Sequence, residues 1–148
     1  MTIKWDPRLR VGIDVIDLEH QMMIMLVRKL DVAIKTHARK QVLVRTVSEL
    51  VEFTRFHFLS EENLMIESGY PELLAHEKVH SLLMSRLNMI AGRINRDILD
   101  PHETIDFLWD WLGAHVMQMD KALAAWLEAR QIHTLSSKSY EDIFKRPE

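Results

Sequence analysis

Four long segments of this chain place apolar residues three or four positions apart, the spacing that gives an α-helix one apolar face. They run from Val15 to about 37–40, from Val42 to Glu67, from Glu72 to Asn95 and from His102 to Ala129. Helices of this length with short connections pack against one another in antiparallel pairs. The pattern therefore predicts an all-α fold, an antiparallel up-down-up-down four-helix bundle.

The breaks between these segments have the chemistry of helix ends. Ser68-Gly69-Tyr70-Pro71 combines a glycine suited to ending one helix with a proline suited to the first turn of the next, and 97–101 ends in Asp100-Pro101, a common helix start. The first dozen residues are expected to form an irregular lead-in. We expect one domain over 1–131 and a polar C-terminal tail over 132–148, either flexible or with a short helix near 140–144.

The composition excludes several classes of protein. The chain has no cysteine, so any metal must be held by histidine, carboxylate or backbone oxygen. A net charge of −3 argues against a nucleic-acid surface. No run of 18 apolar residues suggests a membrane span, and residues 1–10 lack the order of a secretory signal. The expected location is the cytoplasm, with no nucleic-acid or membrane partner.

Each predicted helix carries side chains that could bind a metal ion on its apolar face. His57 and Glu61 are four residues apart, as are His76 and His80, and residues at that spacing point the same way from a helix. The other candidates, His115 and Asp120, are five apart, about 140° out of register, so the helix should be widened between them into a π-type turn. With the single His20, the candidate metal ligands are His20, His57, Glu61, His76, His80, His115 and Asp120.

Each feature also has a simpler interpretation. A single histidine on an apolar face is usually a core residue bonded to a carbonyl, and two histidines four apart occur on surfaces by chance. Five imidazoles and two carboxylates buried without a metal would impose a severe desolvation cost, so together they favour two metal ions sharing bridging carboxylates. The remaining histidines, His37, His102 and His133, are expected to face solvent. The nine methionines are interpreted as core residues.

The residues around these ligands resemble the hemerythrin family from about Trp5 to Glu128. The matching segments are Val11-Gly12-Ile13, Ile16-Asp17-Leu18-Glu19-His20, His57-Phe58-Leu59-Ser60-Glu61, His76-Glu77-Lys78-Val79-His80 and Trp111 to Lys121. The resemblance implies two non-heme iron ions, Fe2+ or Fe3+, joined by a solvent-derived oxo or hydroxo bridge. It also implies that His76, His80 and His115 bind one iron, that His20 and His57 bind the other, and that Glu61 and Asp120 bridge the two.

With these assignments one iron has six donors and the other five, which leaves one open position beside His20 and His57. The resemblance thus implies reversible dioxygen binding, for storage, delivery or sensing, and a protein that is not an enzyme. Candidates to line the oxygen pocket are Met23, Ile24, Phe56, Leu112 and Met119. The alternatives are a sensor of oxygen or nitric oxide acting through a protein partner that the sequence does not identify, a di-iron oxidase or peroxide-handling enzyme, and a purely structural bundle.

Overall fold

A computed structural model describes residues 2–146, so Met1 and the last two residues of the predicted tail lie outside the described part. Its long helices are α1 (Asp14–Lys35), α2 (Lys40–Ser68), α3 (Leu73–Asn95) and a fourth rod formed by α4 (Pro101–Ala114), a π-helical turn (His115–Asp120) and α5 (Lys121–Ala129). The predicted four-helix bundle is confirmed. None of the helices within 2–146 has the length and apolar character needed to cross a bilayer.

The ends of α2 and α3 follow the local sequence. Gly69 ends α2 in the left-handed region with φ 71°, which a residue without Cβ adopts at little cost, and its N–H bonds to the last turn. Pro71 was predicted to lie in the first turn of α3, and the structure differs slightly from this. Pro71 lies in the turn, and α3 begins two residues later at Leu73. At the other connection, the carboxylate of Asp100 accepts from the N–H of Glu103 over 3.1 Å and caps α4 as expected for Asp-Pro.

The apolar core is divided into two parts, and the candidate ligands lie on the helical turns between them. The larger cluster includes Val27, Leu30, Leu50, Leu87 and Leu108 from all four rods. The smaller cluster, at the opposite end, includes Ile16, Leu64, Tyr70, Leu123 and Leu127. This division follows from the chain, because each helix changes from apolar to ligand residues on one continuous inner face.

The two terminal segments pack on the bundle. The lead-in contains a 3-10 turn (Pro7–Leu9), and the carboxylate of Asp17 accepts from the N–H groups of Val11 and Gly12 over 2.7 and 3.3 Å. The tail forms a second 3-10 turn (Leu135–Ser137) and the short helix α6 (Tyr140–Ile143). Of the two forms left open for the tail, the structure therefore shows the short helix.

Candidate metal centre

All seven predicted ligand side chains are buried and meet in the interior of the bundle. His20 comes from α1, His57 and Glu61 from α2, His76 and His80 from α3, and His115 and Asp120 from the two ends of the π-helical turn. Their donor atoms form two groups, each within 4.8 Å, composed of Glu61, His76, His80, His115 and of His20, His57, Glu61, Asp120.

Glu61 belongs to both groups, and both of its carboxylate oxygens face imidazole nitrogens. Its Oε1 lies beside His57 Nε2 and 3.6 Å from His115 Nε2, and its Oε2 lies 3.3 Å from His76 Nε2 and 3.9 Å from His80 Nε2. A carboxylate placed in this way can donate one oxygen to each of two neighbouring metal ions.

Asp120 belongs to the second group and also lies close to two histidines of the first. Its Oδ2 lies 2.7 Å from His20 Nε2, and its Oδ1 lies 3.2 Å from both His76 Nε2 and His115 Nε2. The two carboxylates therefore stand between the imidazole nitrogens of all four helical rods.

The predicted π-type irregularity is confirmed between His115 and Asp120. A regular helix would turn the second of these side chains out of the bundle, whereas the wider turn keeps both buried. The exposed residues of this turn, Met117 and Gln118, lie on its outer side. Five-residue spacing is thus accommodated without breaking the helical rod.

The donor atoms lack the partners that buried polar groups normally have. Within residues 2–146, no hydrogen-bond partner is found for Nε2 of His57, His76, His80 or His115, for either oxygen of Glu61, or for Oδ1 of Asp120. Leaving so many buried polar atoms unsatisfied would cost several kcal/mol, at about 1–3 kcal/mol for each group. Imidazole and carboxylate donors suit first-row divalent ions, and the unpaired atoms fit a pair of them.

In the metal-free protein the imidazoles and carboxylates perturb each other strongly. Burial and the charge of Glu61 raise the pKa of Asp120, but the charge of His115 and the hydrogen bond from His20 hold that pKa at about 2. Burial lowers the pKa of His76, but Asp120 and Glu61 raise it to about 9. The pKa of His80 falls to about 3, mainly because of burial. Near neutral pH a metal ion bound to His76 would therefore have to displace a proton, whereas one bound to His80 would not.

Two further carboxylates contact the Nδ1 atoms of candidate ligand histidines, on the side of the ring away from the donor groups. Glu19 accepts from His57 Nδ1 over 2.8 Å and from the hydroxyl of Ser60 over 2.9 Å, and Glu62 accepts from His80 Nδ1 over 3.2 Å. Neither carboxylate is among the residues predicted from the sequence. Each adjoins a ligand in the chain, but successive helical residues point about 100° apart, so the pattern alone places neither of them near an imidazole.

The apolar surroundings match only part of the predicted pocket lining. Met23, Ile24 and Leu112 are buried, and Met119 is half-buried. Phe56 is wrong as a lining residue, because it is 58% exposed on the outer face of α2. The neighbouring Phe58 faces inward instead and stacks on His80, with ring centroids 3.8 Å apart. As predicted, His37, His102 and His133 face solvent.

Comparison with known proteins supports one family. A family model described as the hemerythrin HHE cation binding domain matches residues 11–127. The chain is 35% identical to a bacteriohemerythrin of Stenotrophomonas maltophilia over 127 residues, covering 84% of this chain and 81% of that protein. It is 26% identical to a myohemerythrin of Riftia pachyptila, covering 78% of this chain and 86% of that protein. A crystal structure of wild-type hemerythrin superposes with a TM-score of 0.77 at 22% identity, covering 84% of this chain and 97% of that one.

Proposed function

This chain belongs to the hemerythrin family, and from that premise we propose that it binds dioxygen reversibly at two non-heme iron ions inside the bundle. The observation that carries the proposal is the pair of donor groups with Glu61 in common. A single ion would not need a carboxylate directed at two separate sets of imidazoles.

We assign the ligands by the group in which each nitrogen lies. His76, His80 and His115 would hold one iron ion, His20 and His57 would hold the other, and Glu61 and Asp120 would be shared. When bound, the two ferrous ions would supply the electrons and the open coordination position that dioxygen binding needs. The protein would supply three imidazoles to one ion and two to the other, so His20 and His57 would hold the ion that can take up dioxygen.

The apolar side chains would keep water and acids away from that position. Met23 lies one turn beyond His20 on α1, and Leu112 lies one turn before His115 on α4, and both are fully buried. A dry, apolar surrounding slows the proton delivery that would make oxygen reduction irreversible. These buried apolar side chains therefore support reversible binding of dioxygen.

The same residues argue against an oxygen-activating enzyme. Di-iron proteins of the ferritin-like kind use a Glu-x-x-His pair on each of two helices and a larger share of carboxylates. That spacing occurs here at Glu77 and His80, but Glu77 is only half-buried and lies outside both donor groups. Five imidazoles with two carboxylates favour a carrier or sensor of dioxygen.

The test is iron loading followed by exposure to air. Protein loaded anaerobically with Fe2+ should hold two iron ions per chain, change its optical spectrum on exposure to oxygen, and recover the first spectrum when oxygen is removed. The variant His57→Ala should lose the reversible change, whereas His102→Ala, at an exposed histidine, should keep it. A normal oxygenated spectrum in His57→Ala would refute the ligand assignment. Sustained consumption of peroxide or reductant would support an enzyme instead.

A further inference from the structure

Glu19 is a buried carboxylate that lies outside both donor groups and is not among the seven ligands. It is 7% exposed, and both of its oxygens are occupied: Oε1 accepts from His57 Nδ1 over 2.8 Å and Oε2 accepts from Ser60 Oγ over 2.9 Å. The two donors lie three residues apart on α2, so they reach the same carboxylate on α1.

This contact decides which nitrogen of His57 is free for a metal ion. A neutral imidazole carries its proton on one nitrogen, and the carboxylate of Glu19 requires that proton to be on Nδ1. The lone pair of Nε2 is then available, and Nε2 is the nitrogen that lies beside Glu61 in the shared group. The carboxylate also increases the donor strength of the ring.

We propose that Glu19 is a positioning residue that holds His57 with Nε2 directed at the metal and so tightens the iron ion that His20 and His57 would bind. This inference rests on the proposed function, because it concerns one of the two iron ions proposed there. In that pair of histidines, His57 alone has such support: within the described residues, Nδ1 of His20 has no hydrogen-bond partner.

Glu62 provides a natural comparison on the other side of the centre. It accepts from His80 Nδ1 over a longer distance, 3.2 Å, and its side chain is 23% exposed. Ser60 fixes the second oxygen of Glu19, but no second side-chain hydrogen bond to Glu62 occurs within 2–146. Glu19 is therefore the more firmly held of the two carboxylates, and its loss should have the larger effect.

The experiment measures how fast each iron ion leaves. Wild type and the variants Glu19→Gln, Glu19→Ala, Ser60→Ala and Glu62→Gln are loaded with Fe2+ without oxygen, and a ferrous chelator is added. Outer carboxylates of this kind typically contribute 10–100-fold to metal affinity. In both Glu19 variants we expect one of the two iron ions to leave about 10–100-fold faster than in wild type. The release rate should be higher in Glu19→Ala than in Glu19→Gln. Ser60→Ala and Glu62→Gln should give smaller increases.

Two further readouts separate positioning from a general loss of structure. The reduction potential of the iron pair should rise in Glu19→Ala, because the His57 ring becomes a weaker donor. The double variant Glu19→Ala/Ser60→Ala should release iron at the rate of Glu19→Ala alone, because Ser60 acts through Glu19. If Glu19→Ala does not fold, Glu19→Gln, which keeps the size of the side chain, carries the test.

The outcomes distinguish this inference from the proposed function. If wild type takes up fewer than two iron ions or shows no reversible spectrum, the proposed function is wrong and the inference fails with it. If wild type behaves as proposed but Glu19→Gln and Glu19→Ala keep its release rate and its potential, only the role of Glu19 is overturned. Faster release of both ions to the same extent would also overturn it.

Discussion

Asp31 of α1 accepts a hydrogen bond from the indole of Trp109 on α4, with Trp109 Nε1 2.9 Å from Asp31 Oδ2. Both side chains are buried, and Trp109 belongs to the larger apolar cluster, beside which an unpaired carboxylate would be very costly. Lys35 and Arg28 complete the arrangement at 2.9 and 3.3 Å from the carboxylate oxygens. This bond therefore ties two helical rods together away from the metal centre.

Replacing Trp109 with phenylalanine should destabilise the protein without affecting the metal site. The substitution removes a hydrogen bond to a buried charge, which is worth about 1.5–3 kcal/mol, and some buried ring area. We expect the free energy of unfolding, measured in urea, to fall by about 2–3 kcal/mol. Trp126→Phe is the control, because Trp126 is half-buried, and it should cost less. Equal losses in the two variants would contradict the role given to Asp31.

Asp31 should also make stability depend on pH. Burial raises its pKa, but hydrogen bonds from Lys35 and Trp109 and the charge of Arg28 outweigh burial, so the pKa lies below its ordinary value. A carboxyl with a depressed folded-state pKa contributes stability above its unfolded pKa, about 3.9, and this contribution is lost as the pH falls through the folded value. The difference in unfolding free energy between wild type and Asp31→Asn should therefore be largest near pH 6 and should narrow below about pH 4.

Urea unfolding of the metal-free proteins from pH 6 to 2.5 checks this. Because the carboxylates of the metal centre titrate in both proteins, their contribution cancels in the difference. A constant difference over the whole range would show that Asp31 is protonated in both states or in neither.

The buried metal centre predicts a large effect of metal removal on stability. Bound ions would satisfy the unpaired donor atoms of residues such as Glu61 and His76. Ligand bound to the folded state alone stabilises it by about 2.7 kcal/mol at 100 times its dissociation constant for one site. Anaerobic Fe2+ should therefore raise the midpoint of thermal unfolding, and a chelator should lower it again. In Asp120→Ala the rise should be much smaller, because the proposed assignment has that side chain shared by both ions.

The inner faces of the helices could be predicted from the sequence because they depend on periodicity alone. Spacings of four located His57 with Glu61 and His76 with His80, and a spacing of five between His115 and Asp120 predicted the π-helical turn that the structure shows. Each of these inferences needs only the number of residues per turn and the tendency of apolar faces to be buried.

Contacts between helices and the packing of outer faces could not be predicted in this way. The bond from His57 to Glu19 depends on how α1 and α2 are aligned, which periodicity does not specify. The choice of Phe56 for the pocket was a separate error, because the helical period places Phe58, three residues before Glu61, on the inner face and Phe56 on the outer one. The methionines were interpreted as core residues, yet Met22 and Met25 lie on the exposed face of α1, because methionine is adaptable enough for either environment.

Gly113 should be a position where alanine stabilises the fold. It lies inside α4, where glycine is less favourable than alanine by about 0.8–1 kcal/mol. A Cβ built there would lie 3.1 Å from Cδ1 of Ile3, the tip of a half-buried side chain in the lead-in, which can shift by a few tenths of an ångström. Gly113→Ala should therefore raise the free energy of unfolding by about 0.5 kcal/mol, somewhat less than the full helix propensity.

The double variant Ile3→Val/Gly113→Ala tests the reason for this shortfall. Valine lacks the Cδ1 atom, so the gain from Gly113→Ala in the Ile3→Val background should approach 1 kcal/mol. Gly69→Ala should have the opposite effect, because Gly69 has a φ of 71°, which strains any residue with a Cβ. We expect it to lower the free energy of unfolding by about 1–2 kcal/mol. A loss above 1 kcal/mol in Gly113→Ala would mean that the lead-in is held too firmly against α4 to move, and that Ile3 is part of the rigid core.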